Sequence, residues 1–178
     1  RAGGGTVVAT SSYNPNTGLI YAMSANGRTA FKAIPNASSL YRNGRGFTGF
    51  QGAGALPTAL TTGQLVAYDA TTNKQRWKQS YTPTTGTSIF ASSQPGTMTT
   101  AGNLVFVGTP GGVSWGISAF NATTGQQVWS AATDAASEAG PMTYSVNGKQ
   151  YVAMYAGGRN TTSAPNTHGD SLYVWALP

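Results

Sequence analysis

Asp134 and Glu138 are two carboxylates set among small residues, and such a pair could act as general acid and base or share a cation. With no third group marked to converge on them, a solvated loop is the simpler reading. His168, the single histidine, lies in Asn166-Thr167-His168-Gly169-Asp170. A catalytic triad would need a placed nucleophile beside it, and nothing in the chain marks one, so this stretch reads as an exposed turn. Asn36, Asn121 and Asn160 each begin an Asn-X-Ser/Thr acceptor, which matters for glycosylation only in a eukaryotic source. The residues alone assign no catalytic group and no metal ligand.

The elements that would position any such chemistry are clearer. Ala67-Tyr68-Asp69-Ala70-Thr71-Thr72-Asn73-Lys74-Gln75-Arg76-Trp77 recurs as Ala119-Phe120-Asn121-Ala122-Thr123-Thr124-Gly125-Gln126-Gln127-Val128-Trp129. A unit of short apolar strands and turns repeating at about 50 residues is the signature of radially repeated β architecture, above all the propeller. Ala67 and Ala119 are small residues near the ends of apolar strands. Asp69 and Asn121 can accept hydrogen bonds from downstream amides, and Thr72 and Thr124 support the same turn. The closing position needs positive φ, which Gly125 adopts freely and Asn73 tolerates. Trp77 and Trp129 are then large flat surfaces expected to pack between neighbouring sheets.

Two further turns extend the all-β reading. Asn14-Pro15-Asn16-Thr17-Gly18 precedes Leu19-Ile20-Tyr21, and Asn147-Gly148 sits between two alternating runs, the strongest local signal for a two-residue hairpin. Leu104–Gly108 and Leu172–Leu177 read as buried strands, and no convincing helix is found. Residues 28–60 read as a long loop or insertion.

The 178 residues suit one domain, 1–178, and the 24 Gly and 9 Pro imply many turns. The absence of Cys neither supports nor excludes export. No apolar run is long enough to span a membrane. The net charge of +6 raises nucleic-acid binding, but the basic residues are scattered and only Arg28, Lys32, Arg42 and Arg45 lie near one another. No nucleic-acid partner is expected; a solvated loop is the main reading of that group, and steering towards an acidic partner the lesser.

In order and spacing, the chain resembles the C-terminal part of a pyrroloquinoline-quinone (PQQ) dependent alcohol dehydrogenase. The resemblance rests on Ser12 to Tyr21, Gly63 to Trp77, Thr99 to Thr109, the second tryptophan unit, Gly140 to Tyr144 with Asn147 to Ala153, and the ending Ala176-Leu177-Pro178. It implies about three blades of an eight-bladed propeller, an incomplete ring, with PQQ over a Ca²⁺ or lanthanide ion near the axis. In that family an aspartate takes the alcohol proton, the metal polarises the quinone, and hydride passes to the cofactor, which later yields electrons to a cytochrome or dye. The tryptophan units (Ala67, Asp69, Thr72, Trp77 and Ala119, Asn121, Thr124, Gly125, Trp129) would be structural docking motifs.

The family's catalytic aspartate and metal ligands belong upstream of the region this chain resembles. The implied partners are therefore the remainder of the propeller, an electron-accepting cytochrome and a small alcohol; the implied compartment is periplasmic or extracellular. The chain departs from the family at Val7 and Val8, where an Asn-Trp pair is usual, and at Gly157, Gly158 and Arg159, which stand where Gly-Trp-Gly-Gly is frequent. Arg159 could still meet a cofactor carboxylate through its guanidinium. A non-catalytic propeller segment used as a binding or assembly scaffold is the alternative reading.

Overall fold

The computed structural model describes residues 4–5, 10–26, 29–35, 43, 50–55, 62–81, 95–109, 115–158 and 168–176. Every regular element among them is a β-strand. In the first sheet, β1 (Gly4–Gly5) and β2 (Ser12–Asn14) pair with the two ends of β3 (Leu19–Asn26). Two strands, β4 (Thr29–Ala33) and β5 (Phe50–Ala55), pair with each other as a separate ribbon within residues 28–60. The first sheet then continues from β3 through β6 (Thr62–Asp69) to β7 (Gln75–Tyr81).

The second sheet is a four-stranded meander of β8 (Thr97–Thr99), β9 (Leu104–Gly108), β10 (Gly116–Asn121) and β11 (Gln127–Ala132). The third has β12 (Met142–Val146), β13 (Lys149–Gly158) and β14 (His168–Ala176). Each sheet pairs antiparallel in chain order, and the described sheets do not close into a ring.

Strand alternation decides how the sheets stack. Leu19, Tyr21, Met23, Leu65 and Ala67 of the first sheet bury against Val105, Val107, Phe120 and Ala122 of the second. The opposite face of the second sheet presents Phe106, Ile117 and Ala119 to Val152 and Met154 of the third. The middle sheet is thus covered on both sides, which is why Leu104-Val105-Phe106-Val107 is apolar without alternation. A hydroxyl ladder joins the inner strands: the Thr97 amide donates to the Thr10 carbonyl at 2.8 Å, and the Ser12 and Thr97 hydroxyls lie 2.8 Å apart.

The outer strand of the third sheet departs from its sequence pattern. The apolar run of β14 reads as a buried strand, yet Leu172 is 56% exposed and Val174 45%. These two share a face with Met142, Tyr144 and Tyr155, which no described sheet covers, while Tyr173 and Trp175 point to the covered side. The run reflects a strand with two apolar faces, of which one is covered in this structure.

All the tight turns gather at one end of the stack. The Ala70 amide donates to the Gly18 carbonyl, and the Ala122 amide to the Asn103 carbonyl, so the two turns of each sheet touch. Asn147 and Gly148 have φ of 52° and 77°, the two positive values a type I′ hairpin requires. In the repeated unit, Asp69 Oδ1 accepts from the amides of Thr71 and Thr72 at 2.9 and 3.0 Å. Asn121 Oδ1 accepts from Thr123 and Thr124 at 3.0 Å each. Asn73 and Gly125 close the turns at φ of 53° and 75°. Both hairpins also carry a register shift at the same place, after Ala67 and after Ala119.

The charge on Asp69 gives the first copy a pH dependence that the second lacks. The Thr71 hydroxyl and the Thr72 and Thr71 amides hold its carboxyl down to about 2. A depressed carboxylate contributes fully above its ordinary value of 3.8 and loses that contribution as the pH falls towards about 2. Asp69→Asn should therefore flatten the fall in melting temperature below about pH 4, because Asn offers the same uncharged acceptor that Asn121 already uses. An acid-range melting series of the two proteins checks this; parallel curves would contradict it.

Candidate functional site

Because the tight turns occupy one end, the longer connections leave from the other: after β3, β7, β9, β11 and β13. Loops placed by a rigid scaffold are where binding groups concentrate, so this end is the candidate functional face. Its described part is the segment from Thr133 to Gly140, the strand end Gly157–Gly158, and the first residues of β8, β10 and β14.

The sheets are joined at the opposite end, beside the tight turns. Trp77 leaves the first sheet and reaches the second: its Nε1 donates to the Ala122 carbonyl at 2.9 Å. The Tyr21 hydroxyl donates to the same carbonyl at 2.9 Å, with the two rings 5.6 Å apart, and Gln79 Nε2 donates to the Gly125 carbonyl at 2.7 Å. The indole lies on Gly125 so closely that a Cβ there would fall 2.6 Å from Trp77 Cδ2. Ala67 and Ala119 are the cross-strand partners of Trp77 and Trp129. Trp129, the second copy, packs edge-on to Phe106 and Trp175 with centroids 6.4 and 5.7 Å away. Its ring remains 37% exposed, and the turn beneath Trp77 has no counterpart beneath it among the described residues.

The connection from the second sheet to the third differs from the solvated loop expected for Asp134 and Glu138. Both carboxylates are exposed, but Ala135, Ala136 and Ser137 between them are buried. Buried backbone needs partners, and this segment has them. The Asp134 amide donates to the Tyr173 hydroxyl at 3.1 Å, Asp134 Oδ2 accepts from Ser171 Oγ at 3.1 Å, and the Ala136 carbonyl accepts the Gly158 amide at 2.9 Å. The small residues that made the stretch look like a loop are the ones that let it pass between sheets. Gly96 permits a similar approach, since a Cβ on it would lie 2.9 Å from Gly140 Cα.

The other positions singled out by their residue types fall in several places. Gly157 and Gly158 end β13, Gly158 at φ of 68°; a Cβ on Gly157 would meet the Tyr155 ring at 2.6 Å. His168 begins β14, paired with Gly158, and so belongs to a strand instead of the exposed turn its neighbours suggest. Asn121 uses its side chain inside the turn. Val7, Val8, Arg28, Asn36, Arg42, Arg45, Arg159 and Asn160 lie outside the described residues. Sequence reasoning missed the Asp134–Ser171 and Asp134–Tyr173 contacts, because they join residues far apart in the chain. The repeated strand-and-turn unit was visible; the pairing across the loop that follows its second copy was not.

Residues 51–152 match the family model described as the glucose/ethanol/alcohol dehydrogenase β-propeller domain of the PQQ type. The chain is 35% identical, over 82% of its length and 20% of the relative's, to the quinohemoprotein alcohol dehydrogenase ADH IIB of Pseudomonas putida. It is 31% identical over 93% of its length to the 1-butanol dehydrogenase (cytochrome c) of Thauera butanivorans, of which it spans 24%. Among solved structures, the quinohemoprotein alcohol dehydrogenase of Comamonas testosteroni superposes with a TM-score of 0.75 at 26% identity, covering 97% of this chain and 26% of that one. The chain thus spans a fifth to a quarter of the length of these relatives.

Proposed function

Because the chain belongs to the PQQ-dependent glucose/ethanol/alcohol dehydrogenase β-propeller family, we propose that it supplies closing blades to a quinoprotein that oxidises an alcohol to a carbonyl compound. The electrons would pass to an external acceptor, and a cytochrome fits the name of the Thauera relative. The observation that carries the reading is the exposure of both outer faces of the stack. On one side stand Tyr13, Ile20 and Tyr68 in a single cross-strand row; on the other stand Met142, Tyr144, Val146, Tyr155, Leu172 and Val174. An apolar face of this extent marks an interface. The covered faces between the three sheets support another sheet of the same design, from the remainder of the propeller, as the partner.

The chain's own share of the cofactor site is partial. Among the described residues no group of three or more His, Cys, Asp or Glu could hold a metal ion, and on this reading the ligands of a Ca²⁺ or lanthanide ion would come mostly from the remainder of the propeller. PQQ fits better, though only along one edge: Gly157 and Gly158 leave the end of β13 without side chains, and Arg159 beyond them would offer a guanidinium to a carboxylate. PQQ, when bound, supplies the redox chemistry; the protein supplies binding and orientation. The tryptophan units would hold neighbouring blades together and take no part in catalysis. A periplasmic or extracellular site of action accords with the bacterial quinoprotein relatives, and among the described residues no helix is long and apolar enough to cross a membrane.

Intact-mass analysis and peptide mapping of the native preparation, with extraction of bound quinone, test the proposal. Further blades together with PQQ are expected. A homogeneous species of this chain alone, free of quinone, would overturn it in favour of a non-catalytic scaffold.

A further inference from the structure

From the contacts around the Thr133–Gly140 segment we infer that Asp134 is a positioning residue: it holds the connection between the second and third sheets, and thereby the Gly157–Gly158 backbone that faces the cofactor. The inference rests on the PQQ reading for its ligand and on geometry for everything else.

The segment grips two strands at once. Its Ala136 carbonyl takes the Gly158 amide, the last backbone donor of β13 before the chain leaves the sheet. Its Ala135 side chain lies against β14, where a Cβ on Gly169 would come 2.5 Å from Ala135 Cβ. One short stretch therefore contacts both the outgoing end of β13 and the incoming end of β14, which pair at Gly158 and His168. Beneath it, a Cβ on Gly108 would approach Ser137 Cβ at 3.5 Å, so the segment also rests on the second sheet.

Asp134 ties this stretch to the third sheet through both its amide and its carboxylate. Its amide donates to the Tyr173 hydroxyl, and its Oδ2 accepts from Ser171 Oγ. Both partners lie on β14 and point to the same side as Trp175, so the hold is on the strand itself. The Tyr173 ring is fixed in turn by stacking on Trp175, 5.6 Å away and tilted by 13°. Without the carboxylate, the segment keeps its burial and the backbone bond to Tyr173 but loses the bond from Ser171, the side-chain contact that helps set how far along β14 it sits. The Gly158 bond to Ala136 would then open more often. A binding edge made of backbone groups needs such a second layer, because it has no side chains of its own to adjust.

The test compares Asp134→Ala with Asp134→Asn in the native protein. Hydrogen exchange reports the Gly158 amide directly, and a fluorescence titration with PQQ itself reports the site. Asp134→Ala should speed exchange at Gly158 by roughly tenfold and weaken PQQ binding several-fold, with little change in melting temperature, since the lost bond is exposed. Asp134→Asn retains an acceptor for Ser171 and should restore both. Unchanged exchange at Gly158 in Asp134→Ala overturns the positioning role, and so does faster exchange with undiminished PQQ affinity. If the wild-type protein shows no affinity for PQQ, the cofactor reading fails and takes the cofactor half of this inference with it. The exchange result then still decides whether Asp134 positions the strand end.

Discussion

Gly125→Ala should be strongly damaging for a single added methyl, lowering stability by about 2 to 5 kcal/mol. Two independent costs combine there. Gly125 sits at φ of 75°, where an L side chain meets its own backbone, a penalty of roughly 1 to 2 kcal/mol. The added Cβ would also stand 2.6 Å from the Trp77 indole, and overpacking of this kind costs about 1 to 3 kcal/mol. The indole cannot retreat freely, because Nε1 is held by the Ala122 carbonyl. Gly148 is the internal control: its φ is 77°, yet nothing lies within 4 Å of a Cβ built on it. Gly148→Ala should therefore show the backbone penalty alone. Urea denaturation of the two variants separates the terms. Equal losses would mean that the Trp77 contact exerts no constraint on the turn.

The left-handed conformation of this turn was legible in the residues, whereas the indole lying on it was not. Positions 73 and 125 are Asn and Gly in otherwise matching units, which announces a shared positive φ, and both have it. The turn acceptors Asp69 and Asn121 were legible for the same local reason. The all-β class and the propeller family were legible because strand period and turn chemistry repeat along the chain.

Long-range contact was not legible. Nothing local in Asp134-Ala135-Ala136-Ser137-Glu138 distinguishes a solvated loop from a buried crossing, because small residues serve both. Likewise the apolar run of β14 could not say that one of its faces lacks a covering sheet. Burial there depends on a neighbour that no residue of β14 encodes. Trp77 and Trp129 show the same limit: the units that contain them match in sequence, while their environments differ.

That difference sets the last expectation. Trp77→Ala should cost about 3 to 5 kcal/mol, the usual range for a large aromatic removed from a packed site. It deletes a hydrogen bond to Ala122, a ring contact with Tyr21 and the cover over Gly125 together. Trp129→Ala removes a ring that is 37% exposed, touches Phe106 and Trp175 by its edges, and has no turn beneath it among the described residues. In the chain by itself its loss should be smaller, because part of its apolar area already meets solvent. The inequality is also informative about assembly. A further sheet stacked on the open face of the third would lie on the far side from Trp129, which packs between the second and third sheets, so the gap should persist in the native protein. Thermal denaturation of both variants, first in the isolated chain and then in the native assembly, measures the gap. A gap that closes in the assembly would instead mean that a further strand or turn covers Trp129 on the side of the third sheet that faces the second.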